Sequence, residues 1–334
     1  MQKVHLEQLF QQFNNLTALI VGDVMIDAYY WGKVERISPE APVPVVQVNK
    51  KENRLGGAAN VALNIQSLGA KAIICSVVGD GSKGDIFRKI LKENGFSTAG
   101  IIDSPERMTT VKTRVISGGQ HLLRVDEEIT TRLSPTDERN LLECIKTLLE
   151  TQKIDVIILE DYNKGILTEK VIETTIKLAR VKNIPTTVDP KKDNFLTYKG
   201  CTLFKPNLKE LKEGLNIQFD KTNTDALKKA IEQLEAELNN EVTMVTLSEL
   251  GIMVKDQDGF TFEAAYPREI LDVSGAGDTV IGVASLALAA GANPADFSRL
   301  ANLAGGLVCE KVGVVPVDKE SLLQEAMEKM TPGF

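Results

Sequence analysis

Short apolar runs alternate with longer segments of helical periodicity along most of this chain. Thr17 to Val21, Ala72 to Val78, Ile154 to Leu159, Pro185 to Val188, Thr202 to Phe204 and Val242 to Leu247 read as strands. Between them, Val61 to Leu68, Ile86 to Asn94, Thr136 to Leu149, Glu169 to Val181 and Thr224 to Leu238 space their apolar residues as helices do. This strand–helix rhythm predicts an α/β protein, with a mostly parallel sheet and helices on both faces.

Two segments break the rhythm. Val43 to Val48, after Pro42 and Pro44, alternates like a half-exposed strand. Thr109 to Val125 is two alternating runs around Gly118-Gly119, a hairpin signal. Neither completes a strand–helix–strand unit, so both are expected in a small separate sheet over the end of the main one. That lid covers about residues 28–50 and 107–126. The Asp258-Gly259 turn, between Ile252 to Lys255 and Phe260 to Ala264, marks a late hairpin. Helices from Gly275 to Ala290, Pro294 to Lys311 and Lys319 to Lys329 close the chain. No repeat or low-complexity linker divides residues 1–334, so a single domain is expected.

Composition narrows the chemistry. Of 334 residues, 43% are hydrophobic and 25% charged, a globular balance. The net charge of −7 gives nucleic-acid binding no electrostatic support. The start, Met1 to Gln8, has no apolar signal core, and Val280 to Ala292 is too short to span a bilayer. A cytoplasmic protein with neither a nucleic-acid nor a membrane partner is expected. The four cysteines form no C-x-x-C pair, and the two histidines, His5 and His121, are too few for a histidine-built zinc site. A Ser-His-Asp triad is equally unsupported. Catalysis is left to carboxylates, lysines, arginines and backbone amides.

One octapeptide fits that restriction. Asp272-Val273-Ser274-Gly275-Ala276-Gly277-Asp278-Thr279 precedes an apolar, helix-length stretch. Its small residues free backbone N–H groups at a helix start, where the dipole favours an anion. Asp278, beside that nest, is a poor phosphate ligand but is well placed to take a proton from an alcohol attacking a phosphate. Taken alone, the octapeptide fits equally a tight turn with Asp278 as an ordinary first-turn acid. Two other phosphate signatures fail. Gly79 and Gly84 have P-loop spacing, but Asp85-Ile86 follows where Lys-Ser/Thr is needed. Gly275 and Gly277 begin a G-x-G, but Val280 takes the third glycine position. Gly56-Gly57-Ala58-Ala59-Asn60 opens the second helix, and Gly22-Asp23 and Asp27 follow the first strand. Carboxylates at a sheet end suit sugar hydroxyls, although capping and solvated Asp readings fit equally there.

Gly56-Gly57…Asn60 and the late Asp272…Gly275-Ala276-Gly277-Asp278 together make the chain resemble the PfkB/ribokinase family of carbohydrate kinases over nearly its full length. Within that family the text most resembles the bacterial D-glycero-D-manno-heptose 7-phosphate kinases. Gly22 to Asp27, Ile37 to Val46, Gly56 to Ala70, Asp161 to Gly165 and Val188 to Lys191 carry that likeness. Ser274 stands where Thr is usual and keeps the hydroxyl, and Asn163 stands where Gly is common. The bifunctional relatives carry a nucleotidyltransferase domain. With no H-x-G-H-type motif before Phe334, the kinase alone is expected here.

The resemblance implies a ribokinase-like three-layer sandwich and a set of roles. Asp278 would be the base, and the Gly275, Ala276 and Gly277 amides would hold the transferring phosphoryl group. Asp23, Asp27, Gly57 and Asn60 would bind the sugar. Asn207 and Glu210 would sit near the phosphates and a magnesium-bound water. Thr246, Ser248 and Gly251 would line the nucleotide site, with Asn302 near the adenine. Asp272 and Ser274 would form part of a monovalent-cation site, potassium being the candidate. For the distal phosphate of a sugar phosphate, the candidate cations are Lys112, Arg114 and Arg124 on the lid, with Lys164 and Lys191 beside the sheet end; Asp161 is placed among the substrate ligands. The implied reaction is ATP-dependent phosphorylation of the anomeric hydroxyl, giving the 1,7-bisphosphate. Rival readings are another kinase of this fold, or a non-catalytic sugar-phosphate sensor. A homodimer through the lid is expected.

Overall fold

The computed structural model describes residues 3–331; Met1, Gln2 and the end at Phe334 lie outside them. The polar start forms helix α1 (Lys3–Phe13), which buries Leu6, Leu9, Phe10 and Phe13. That regular spacing passes unnoticed beside the polar residues between. Strand β1 (Thr17–Gly22) is buried along its whole length. Strands β2 (Val24–Ile37) and β3 (Pro44–Gly57) then leave as a long antiparallel pair. The chain returns through α2 (Ala58–Ser67), β4 (Lys71–Gly79), α3 (Ser82–Glu93) and β5 (Ile101–Ser104). Strands β6 (Thr110–Ser117) and β7 (Gln120–Glu127) form the expected hairpin.

The alternating rhythm then resumes through α4 (Pro135–Thr151), β8 (Val156–Glu160), α5 (Glu169–Val181), β9 (Thr186–Asp189), β10 (Leu203–Phe204), α6 (Leu208–Gly214), α7 (Thr224–Leu238) and β11 (Val242–Thr246). The hairpin of β12 (Gly251–Asp256) and β13 (Gly259–Ala264) precedes α8 (Ala276–Ala289), α9 (Pro294–Cys309) and α10 (Lys319–Met330).

The main sheet has the order β13-β12-β11-β10-β9-β8-β1-β4-β5. All neighbours from β11 to β5 run parallel, and β12 and β13 add an antiparallel edge. Its strands alternate their side chains between two apolar layers. Ala18 and Ile20 of β1 face one layer, with α1, α2, α8, α9 and α10; Leu19 and Val21 face the other, with α4, α5 and α7. Helix α8 is buried from Asp278 through Ala287, which explains why its sequence is apolar all round.

The lid sheet has the order β3-β2-β6-β7. It begins earlier and ends later than the alternating pattern suggested. Strand β2 starts directly after Asp23, and β3 runs on to Gly57, the residue before α2. The base of β2 is buried on both faces and so carries no alternation to read. As a result Asp27 and Gly57 belong to the lid sheet itself.

The chain reverses its direction of sheet growth at β1, which has β4 on one side and β8 on the other. Backbones pack tightly there. A methyl group added at Gly22 would lie 2.0 Å from the Glu160 carbonyl oxygen, with main chain and not a flexible side chain in the way. Gly22→Ala is therefore expected to lower stability by about 1–3 kcal/mol. Gly81→Ala, where an added methyl meets nothing within 4 Å, is expected to change it by no more than about 0.5 kcal/mol. Urea midpoints of the two variants check the contrast.

Candidate active site

Ligands of open α/β sheets gather at the carboxyl ends of strands where the order reverses. Here Asp23, Glu160, Asp189, Lys205 and Thr246 stand at or just past the ends of β1, β8, β9, β10 and β11. The start of α8 points to the same edge. Gly275 precedes that helix with φ 79°, a left-handed conformation that suits glycine. The Ala276 N–H turns back to the Val273 carbonyl at 3.3 Å. The Gly275, Gly277 and Asp278 N–H groups have no partner among the described residues, so two of the three expected amides, those of Gly275 and Gly277, are free to meet an anion, and the Asp278 amide joins them.

Asp278 is buried, and is not an exposed first-turn acid. One carboxylate oxygen accepts from the Tyr162 hydroxyl at 2.6 Å and the other from the Asn60 amide at 2.7 Å. Burial pushes its pKa up to about 6; the two hydrogen bonds and Lys205 work against that, while Asp189 adds to it. A carboxyl tuned in this direction serves as a base near neutrality. Lys205 is itself buried and pairs with Asp189 at 2.7 Å. Lys191 binds Glu210 at 2.5 Å and lies 3.5 Å from Asp189. Burial raises the pKa of Asp189, but Lys205 and Lys191 more than offset that and hold it below the usual carboxylate value, so the group stays ionised.

A cleft of about 870 Å³ opens over these groups. Its lining includes Gly275, Ala276, Gly277 and Asp278 together with Thr246, Ser248, Gly251 and Asn302. Asn207 and Glu210 also line it, locked in a reciprocal capping box at the start of α6: Glu210 N–H donates to the Asn207 side chain, and Asn207 N–H to Glu210. The Asn302 amide donates to the Ala264 carbonyl at 2.9 Å. Asp272 binds the Ser274 and Gly313 N–H groups, both at 2.9 Å, and so ties two loops beside the cleft.

Several residues expected at the sugar have other work. Asp23 is buried, and its carboxylate accepts from the N–H groups of Tyr162 (2.7 Å), Lys164 (3.1 Å) and Ile166 (3.1 Å). It anchors a loop and does not face the cleft. Asp161 likewise turns inward, to the Asn163 N–H, the Asn194 amide and the Tyr198 hydroxyl. Asn60 spends its amide on Asp278. Gly57 makes the strand-to-helix turn, where an added methyl would lie 2.4 Å from the Asp23 carbonyl oxygen. Asp23 and Asp161 are thus taken up by backbone amides and side chains of the fold, whereas the buried Asn60 Oδ1 has no hydrogen-bond partner among the described residues.

The cations divide in the same way. Arg114 is paired with Asp27, both facing the same side of the lid, and Lys164 pairs with Glu128 at 2.9 Å. Arg124 is exposed on the edge strand and paired with Asp126. Lys112 forms no salt bridge among the described residues and lies 6.0 Å from the Tyr162 ring centre. Burial and the nearby Lys164 push its pKa down. On the same ring, Lys191 lies 5.5 Å from the centre. Tyr162 thus links the lid, the cleft and Asp278, a role that no local pattern announced. Glu160, Asp189 and Lys205 were missed for the same reason: each is one polar residue at the end of an apolar strand.

The chain matches the model of the pfkB family carbohydrate kinase over residues 16–320. It is 38% identical over 326 residues to the Bifunctional protein HldE of Geotalea uraniireducens, covering 97% of this chain and 66% of that protein. It is also 38% identical over 326 residues to the HldE of Geobacter sulfurreducens, covering 97% and 65%. The chain thus spans 65–66% of the length of these curated relatives. Phosphofructokinase-2 from Escherichia coli, in complex with potassium, superposes with a TM-score of 0.75 at 20% identity, over 94% of this chain and 98% of that one. Ribokinase from Arabidopsis thaliana, complexed with ribose and ATP, superposes at 0.70 and 17% identity, over 92% and 98%. These structural likenesses establish a ribokinase-like fold. Fold, site and sequence agree: the chain belongs to the PfkB family of carbohydrate kinases.

Proposed function

We propose that this chain, as one kinase domain, transfers the γ-phosphoryl group of ATP to the anomeric hydroxyl of D-glycero-D-manno-heptose 7-phosphate. The product is the 1,7-bisphosphate, on the way to ADP-heptose and the lipopolysaccharide core. The observation that carries the reading is the buried Asp278 carboxylate beside unpaired backbone amides in the lining of a nucleotide-sized cleft. The heptose assignment rests on the sequence resemblance described above, and the likeness to the HldE proteins supports it.

In this reading Asp278 accepts the hydroxyl proton as the sugar oxygen bonds to phosphorus and the bond to the ADP oxygen breaks. The Gly277 and Asp278 amides and Lys205 meet the charge on the moving group. Thr246, Ser248, Gly251 and Asn302 hold the nucleotide. Asp27 faces the sugar. Lys112, a lid cation with no salt bridge among the described residues, holds the distal phosphate, with Lys164 beside it. Both Glu210 oxygens are engaged, by Lys191 and by the Asn207 N–H, which fits a magnesium ion reached through water. Magnesium, when bound, screens the phosphates. Potassium at Asp272 and Ser274 belongs to the same proposal; the Asp272 oxygens keep lone pairs beyond their amide bonds.

A second copy is proposed to cover the lid's outer face. Strand pairing puts Val111, Thr113 and Val115 on one side with Val125 and Leu123, the last two 45% and 59% exposed. A cytoplasmic location is part of the proposal. No helix among the described residues is long and apolar enough to cross a membrane.

Four outcomes test these points. Asp278→Asn is expected to lower kcat by about 10²–10⁴-fold in a coupled assay, with nucleotide affinity by calorimetry unchanged or tighter. The base must be ionised to act, so kcat is expected to fall as pH drops through about 6. Near-normal turnover by Asp278→Asn would remove the base assignment. Lys112→Ala is expected to raise the KM for the heptose phosphate by about ten- to a hundredfold, the loss of one charge-assisted bond, and to spare the KM for ATP. Equal KM values in variant and parent would count against the distal-phosphate seat. Light scattering at micromolar concentration is expected to show a dimer, and Leu123→Asp with Val125→Asp a monomer.

A further inference from the structure

Glu160 ends β8 with no solvent exposure, and neither of its carboxylate oxygens has a hydrogen-bond partner among the described residues. An ionised carboxylate cut off from water and from partners is strongly disfavoured, so a proton or a cation must neutralise it. Its neighbours decide which. Ligand oxygens of Glu160, Asp189 and Asp278, all buried, lie within 4.8 Å of one another. One Asp189 oxygen also lacks a hydrogen bond. The cations near the cluster are Lys205, at 2.7 Å from Asp189, and Lys191, at 3.5 Å from Asp189 and 2.5 Å from Glu210. Four carboxylates therefore share two ammonium groups, a shortfall of two positive charges. A proton on Glu160 makes good half of that, and a divalent cation makes good the whole. A donor set of carboxylate oxygens alone, without histidine or cysteine, suits hard cations.

We propose that Glu160, Asp189 and Asp278 form a site for one hard divalent cation, of the magnesium or manganese class, that fills without nucleotide. It is distinct from magnesium carried in with ATP and reached through water at Glu210. It stands on the three carboxylates and not on the kinase reading. Because the ligands include the proton-accepting Asp278, filling this site couples the cation to the base. Metal binding displaces protons from the cluster, so affinity rises with pH.

Manganese titrated into the nucleotide-free protein, followed by electron paramagnetic resonance, tests the site. One ion per chain is expected, displaced by magnesium and raising the unfolding temperature. Glu160→Gln keeps the shape of the side chain and is expected to weaken manganese binding by at least about tenfold and to abolish the thermal shift. If that variant fails to fold, Asp278→Asn serves in its place with the same expectation. Wild-type protein that takes up manganese only after nucleotide is added would overturn the proposal, as would equal affinity in the folded variant. Manganese binding in a protein with no sugar kinase activity would leave this site standing and remove the proposed function. Kinase activity without nucleotide-free manganese binding would do the reverse.

Discussion

Asp23 holds the site together from beneath. Its carboxylate has no route to water and accepts three backbone N–H groups of the 162–166 segment. Its main chain joins two further elements: the N–H donates to the Glu160 carbonyl, and the carbonyl accepts from the Ala58 N–H at the start of α2. One residue therefore fastens β1 to β8, the Tyr162 loop to the sheet and the lid to the second helix. Burial is the main cause of its raised pKa, about 6, with the charge of Asp161 adding to it; the three amides recover only part of the desolvation. A residue with that cost persists where the geometry it holds is needed.

What it holds is the contact between Tyr162 and Asp278. The 162–166 segment is irregular backbone, and such backbone needs partners for its amides when buried. With those amides on Asp23, the Tyr162 ring sits between Lys112 of the lid and Lys191 of the cleft. The two halves of the proposed site then communicate through one side chain. Asp161 extends the same anchor downward to Asn194 and Tyr198, behind β9.

The electrostatics of the cleft have a common logic. Carboxylates cluster where the strands end, which alone would repel a phosphate. Lys205, Lys191 and the free amides of α8 offset part of that charge from a surface already desolvated, where each charge acts more strongly than in water, and a cation bound among the carboxylates would offset the rest. An overall charge of −7 is compatible with binding anions because the field that matters is local.

Much of the fold was legible in the order of residues alone. Apolar runs of strand length mark the main sheet, and Gly118-Gly119 marks the lid hairpin, because backbone periodicity and turn chemistry act within a few residues. The Gly275-Ala276-Gly277-Asp278 stretch announced an anion-binding helix start for the same local reason. The lengths of β2 and β3 were not legible, since a strand base buried on both faces shows no alternation. Nor were the partners of single polar residues. Asp23, Asp161 and Asn60 look like ligands on paper, yet each is claimed by groups more than 30 residues away or by its own loop. Which carboxylate meets solvent, which meets a backbone amide and which, like Glu160, meets nothing depends on distances across the sheet. Local sequence determined the elements and the anion nest; only tertiary packing decided the wiring of the site, because burial and charge are properties of the assembled neighbourhood.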